Sequence, residues 1–121
     1  MSNSYSLDID QGTTYRANFF WKELDRSPVN LVGYIAKLQI RSSYTSETVL
    51  IDLTSEEETS DGDIIIFPNE GKVSIHIKPE STRSASWSNA VFDLLLISPS
   101  GDIEKVVGGK VKISKTSTRI N

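Results

Sequence analysis

Cysteine is absent from the 121 residues. The fold therefore draws nothing from disulfides, and thiolate-held zinc or iron–sulfur centres are excluded. That composition suits assembly in a reducing cytosol. Histidine is nearly absent too, His76 being the single example, so acid–base catalysis has little to build on. No apolar run nears the ~18 residues that a membrane-spanning helix needs. The opening Met1-Ser2-Asn3-Ser4 lacks the basic start and apolar stretch of a secretion signal, so neither a membrane span nor classical export is expected. There is no excess of positive charge: the net charge is −3, and Lys110, Lys112, Lys115 and Arg119 are the one loose concentration of cations. Nucleic acid is thus not an expected partner. A glycine-rich phosphate loop is missing as well, because Gly108-Gly109 does not open a helix; it reads as a bend.

What the chain has in abundance is alternation. Apolar residues recur at every second position over most of the sequence, the period of a strand with one buried face. Tyr5, Leu7 and Ile9 form a first such row, and Tyr15, Ala17, Phe19 and Trp21 a second. Tyr34, Ala36, Leu38 and Ile40 oppose Lys37, Gln39 and Arg41 in a third, followed by Val49, Ile51 and Leu53. Ile64–Phe67 and the row Val73, Ile75, Ile77 flank Pro68-Asn69-Glu70-Gly71, which predicts a hairpin. Between these rows the stretch 54–62 carries no apolar side chain and is expected to be an exposed, mobile loop. Pro79–Ser84 has room for one helical turn. From Ala90 to Ser98 both faces are apolar, with Phe92, Leu94 and Leu96 on one and Val91, Leu95 and Ile97 on the other. Such a strand is central in its sheet or lies under a partner. Pro99-Ser100-Gly101-Asp102 turns the chain into Ile103–Val107, and Gly108-Gly109 bends it before Val111 and Ile113. The pattern predicts an all-β protein: an antiparallel, immunoglobulin-like β-sandwich of about eight strands with at most one short helical turn. One domain is expected over 1–114, with a flexible polar tail over 115–121.

Candidate sites are few. His76 shares a face with Ser74 and Lys78 and reads as a solvent-facing strand residue. A hydrolase would need an acid and a nucleophile beside it in a cleft. Asp8, Asp10 and Gly12, and likewise Asp61, Gly62 and Asp63, place carboxylates near a glycine as calcium loops do. Neither run extends to a full set of oxygen ligands, and both read as turn chemistry. No catalytic residue, metal or cofactor is therefore expected. Exposed aromatics can stack on sugar rings, and Tyr44 and Trp87 stand in polar surroundings, which makes them candidates for glycan binding. Trp87 is expected to cap one end of the sandwich instead, and Tyr44 fits either role. The candidates for partner binding are Val91, Leu95 and Ile97, which a sandwich of only two layers leaves uncovered, and Lys115, Arg119 and Ile120 in the tail.

The order of features also resembles a known group. Asp10-Gln11-Gly12-Thr13-Thr14-Tyr15 is followed by Phe19-Phe20-Trp21-Lys22, then Pro28-Val29-Asn30-Leu31-Val32-Gly33-Tyr34 and Ala36–Ser42. Further on stand Gly71-Lys72-Val73-Ser74-Ile75, a serine-rich turn before Trp87, Phe92–Leu96, Pro99-Ser100-Gly101 and Gly108-Gly109-Lys110-Val111. This plan resembles the short virion structural proteins of tailed bacteriophages over nearly the whole chain. It is more loosely similar to the β-sandwich that begins upper baseplate proteins. The resemblance implies a non-enzymatic adaptor or decoration module of the tail, baseplate, neck or capsid, assembled in the host cytoplasm. Its partners would be other virion structural proteins, met in several copies about a symmetry axis. It supplies no catalytic residue to carry over.

Overall fold

A computed structural model describes residues 3–118, except for the side chain of Asn3. Among the described residues there are eight strands: β1 (Asn3–Asp10), β2 (Tyr15–Phe20), β3 (Ile35–Arg41), β4 (Ile51–Thr54), β5 (Gly62–Phe67), β6 (Lys72–Ile77), β7 (Asn89–Ile97) and β8 (Ile103–Ser114). They form a five-stranded sheet of order β1-β8-β7-β3-β4 and a three-stranded sheet of order β2-β6-β5. Lettered along the chain with β4 as the added C′ strand, these are the G-F-C-C′ and B-E-D sets of an immunoglobulin-like sandwich, with β1 beside the last strand. The all-β reading holds. Among the described residues helix is confined to α1 (Pro79–Arg83) and a 3-10 turn at Pro68–Glu70, one turn more than expected.

Most strands bury the side chains that alternation assigns to them; among the exceptions are Tyr5, 46% exposed near the start of β1, and Val49, which precedes β4 and is not buried. β7 contributes Ala90, Phe92, Leu94 and Leu96; β3 contributes Ala36, Leu38 and Ile40; β6 contributes Val73, Ile75 and Ile77. Phe19 of β2 meets Phe92 of β7 across the interior, ring centroids 6.5 Å apart. Tyr5 closes edge-on against Phe19 at 5.3 Å. In antibody domains the same two strands carry the disulfide that links the sheets. Here an aromatic contact stands in that part of the core.

The ends of the sandwich are tied by polar groups. Gln11, in the turn after β1, donates its backbone N–H to the Ser114 carbonyl at 2.8 Å. Its side-chain amide donates to the carbonyls of Arg83 and Ala85, and its own carbonyl accepts from the Thr116 hydroxyl at 3.0 Å. The next residue, Gly12, donates its N–H to the fully buried Thr82 hydroxyl at 2.8 Å. One turn thus holds α1, the end of β8 and the first part of the expected tail.

Three expectations are corrected. First, the sandwich is not wholly antiparallel, because β1 pairs with β8 in parallel, Leu7 opposite Val111 and Ile9 opposite Ile113. Alternation reports which face a side chain takes and says nothing of strand direction. Second, the stretch between β4 and β5 is not free. Thr59 donates its hydroxyl to the Asp52 carbonyl at 2.7 Å, the Asp61 carboxylate accepts from the Asp52 N–H and the Ser81 hydroxyl, and Lys37 and Lys78 pair with Glu56 and Glu58. The hydrogen bond from Lys78 holds the Glu58 carboxyl below its usual range. A segment without apolar residues has been fixed by hydrogen bonds along the β4 edge. Third, Gly108-Gly109 does not bend the chain, since β8 runs through both residues. The irregularity lies just before them, where the β7–β8 register shifts opposite Leu94 and Leu95. Val106 and Val107 are both buried there, which is the two-against-one count of a β-bulge.

Gly109 is instead required by the parallel pairing. Its φ is +156°, and a Cβ there would overlap the Tyr5 carbonyl oxygen of β1. At Gly108 a Cβ would first meet the flexible end of the Lys105 side chain. Gly109→Ala is expected to lose more than about 2 kcal/mol of stability, and Gly108→Ala under about 1 kcal/mol, in urea denaturation. A second prediction concerns Tyr15, whose phenol is pushed from 10.0 up to about 12, chiefly by burial, with Tyr5 and Asp8 adding to it. The folded state holds this proton more tightly than the unfolded state. The stability it contributes is complete below about pH 10 and is lost as pH rises through 12. Phenolate absorbance should show one late-titrating tyrosine that disappears in Tyr15→Phe.

Candidate functional site

The outward side chains of the large sheet fall into rows fixed by register. At one end Ile35, Ile97 and Ile103 lie side by side across β3, β7 and β8. The next row is Lys37, Leu95 and Lys105, then Gln39, Asp93 and Gly108, then Arg41, Val91 and Lys110. Val91, Leu95 and Ile97 are each half-buried and Ile103 is 63% exposed. The structure therefore brings the three candidates of β7 onto one face. It adds Ile35 and Ile103, which the sequence reading missed because their strands are apolar on one side only or were read for their inward rows.

Tyr44 reaches back over this face from the β3–β4 connection. With Gln39, Arg41, Val91, Phe92 and Asp93 it lines a recess of about 90 Å³. The Lys105 ammonium lies 5.7 Å from its ring centroid, within range of a cation–π contact. Arg41 is held in place by donating to Gln39 Oε1 at 2.8 Å and to the Ser46 carbonyl at 2.7 Å. Trp87 is elsewhere: it is half-buried and packs on the hydrophobic core. Tyr44 and Trp87 do not form a joint platform. Lys115 is exposed beyond the end of β8, whereas Arg119 and Ile120 lie outside the described residues.

The small sheet has its own outward rows: Arg16, His76 and Asp63; Asn18, Ser74 and Ile65; Phe20, Lys72 and Phe67. His76 Nδ1 sits 3.6 Å from Asp63 Oδ2, and Ser74 is two residues along the same strand face. An acid, a histidine and a serine thus share a shallow groove. They are not joined as a relay. The Ser74 hydroxyl donates to Asn18 Oδ1 at 2.6 Å, and the His76–Asp63 separation exceeds hydrogen-bonding distance. Asp61 and Asp63, paired in sequence as conceivable cation ligands, are spent differently, one on Asp52 and Ser81 and the other beside His76. Among the described residues no group of three or more His, Cys, Asp or Glu side chains is placed to hold a metal ion.

No protein-family model and no curated protein matches this sequence.

The two aromatic candidates separate in a stability measurement. Trp87→Ala removes a ring packed on the core and is expected to destabilise by about 2–4 kcal/mol. Tyr44→Ala, at a residue 60% exposed, should change stability by less than about 1 kcal/mol. Chemical denaturation of both variants distinguishes them.

Proposed function

We propose that this chain is a non-enzymatic docking module that seats the outer face of its large sheet on a neighbouring protein. The resemblance in sequence plan further suggests a structural component of a tailed-phage virion, present in several copies. The observation that carries the docking reading is the aligned row Ile35, Ile97 and Ile103, continued by Leu95 between Lys37 and Lys105. A sheet face open to water normally alternates to polar side chains, and a contiguous apolar strip rimmed by cations is what an interface presents. The chemistry of the partner follows from the rim. Arg41, Lys105 and Lys110 rim the strip, together with a Lys37 already paired with Glu56 and with Asp93 as the inner anion, so an apolar surface edged by carboxylates is complementary.

Ile97→Glu and Leu95→Glu place charge in this strip without touching the inward rows. Purified virions from a host producing each form would be probed for the chain, with melting temperatures measured on the free proteins. Loss of incorporation with melting within a few degrees of the parent supports docking through this face; retention by both variants overturns it. Absence of the parent chain from particles overturns the virion assignment.

A further inference from the structure

The outer face of β2-β6-β5 carries a second recognition surface, and we infer that it binds a saccharide bearing a carboxylate. This face is a half-open groove of about 470 Å³ lined by Arg16, Asn18, Asp63, Ile65, Ser74 and His76, within the roughly 300–1,000 Å³ usual for small-ligand sites. Register places these groups on adjacent strands, so rigid sheet positions each one.

The chemistry of each residue indicates the ligand. Arg16 is exposed and makes no ion pair among the described residues; its planar fork suits bidentate capture of a carboxylate. Ser74 donates to Asn18 Oδ1, which leaves the Asn18 amide N–H groups to donate outward. His76 turns Nδ1 toward Asp63, leaving Nε2 and the carboxylate edge for hydroxyl groups. Ile65, 53% exposed, gives the groove an apolar patch, and Phe20, 57% exposed in the next row beyond the groove lining, offers a flat ring to the C–H face of a sugar. A polyphosphate fits less well. Asp63 lies in the groove and Arg16 is its one guanidinium, so a ligand of several negative charges meets a carboxylate and finds no second Arg or Lys in the lining. One carboxylate among many hydroxyls matches one guanidinium among amide, hydroxyl, imidazole and carboxylate groups.

This surface lies on the sheet opposite the docking face, so the two readings fail separately. The test is calorimetric titration of the full chain with oligosaccharides ending in galacturonate, glucuronate or sialate, each paired with its neutral counterpart. At least one acidic sugar should bind about tenfold more tightly than its neutral counterpart. Arg16→Gln should lose about tenfold and Ser74→Ala several-fold, while Ile97→Glu binds as the parent does. Amide shifts on binding should map to β2, β5 and β6, and unchanged melting of the variants excludes misfolding. The inference is overturned if no acidic sugar binds, if the neutral sugars bind equally well, or if Arg16→Gln leaves affinity unchanged.

Discussion

The contact between Phe19 and Phe92 is the constraint on which this molecule turns. It is the place where β2 of the small sheet meets β7 of the large one, and the chain has no cysteine with which to link them covalently. Phe92 is 1% exposed and flanked along its strand by Ala90 and Leu94, both buried. β7 is third of five strands, hydrogen-bonded to β3 on one side and β8 on the other. Once its inward row is anchored on the small sheet, its outward row is fixed in the middle of the opposite face. The apolar strip through Leu95 and Ile97 is thus a geometric consequence of how the core is held.

One end of the sandwich and the β4 edge are secured by different means. At one end the Gln11-Gly12 turn collects α1, the end of β8 and Thr116 through hydrogen bonds. Along the β4 edge the 55–61 segment is stitched by Thr59, Asp61 and two ion pairs. The ion pairs are exposed and add little, but hydrogen bonds to otherwise unpaired backbone groups of an edge strand blunt a template for unwanted pairing. The opposite edge is β1 itself, whose close approach to β8 is possible only because residue 109 lacks a side chain.

The faces of the strands were legible in the sequence because burial imposes a period of two. Leu38, Ile75 and Leu94 could be placed inside without knowing any neighbour. Turn residues made the β5–β6 and β7–β8 hairpins legible, but long-range partners and their direction were not: nothing in Leu7 or Val111 announces that their strands run parallel. The acidic segment was misjudged for a related reason, since Thr59 and Asp61 find their partners, Asp52 and Ser81, in other elements. On the large sheet the doubly apolar pattern of β7 pointed to Val91, Leu95 and Ile97. Ile35 and Ile103 became part of the strip only through register. The small-sheet groove was harder still, because Arg16, Asn18, Asp63 and Ser74 are the polar residues any wet sheet face carries. The signal that could have found it was the alternation of Arg16, Asn18 and Phe20 opposite Ala17 and Phe19.

The separation of the two outer faces has a functional consequence. Stacked sheets lie about 10 Å apart, and the side chains of the groove and of the apolar strip share no partner. Substitutions on one face should therefore leave the other unperturbed, to within the few tenths of a kcal/mol by which distant sites depart from additivity. A chain seated through β3, β7 and β8 keeps β2, β6 and β5 on its far side, and if it were repeated around a symmetric assembly with that side outward, the groove would be presented many times over. Weak recognition of one sugar at each copy would then be multiplied by the effective concentration of its neighbours. A shallow groove on a rigid sheet, too open to bind tightly alone, is suited to that arrangement.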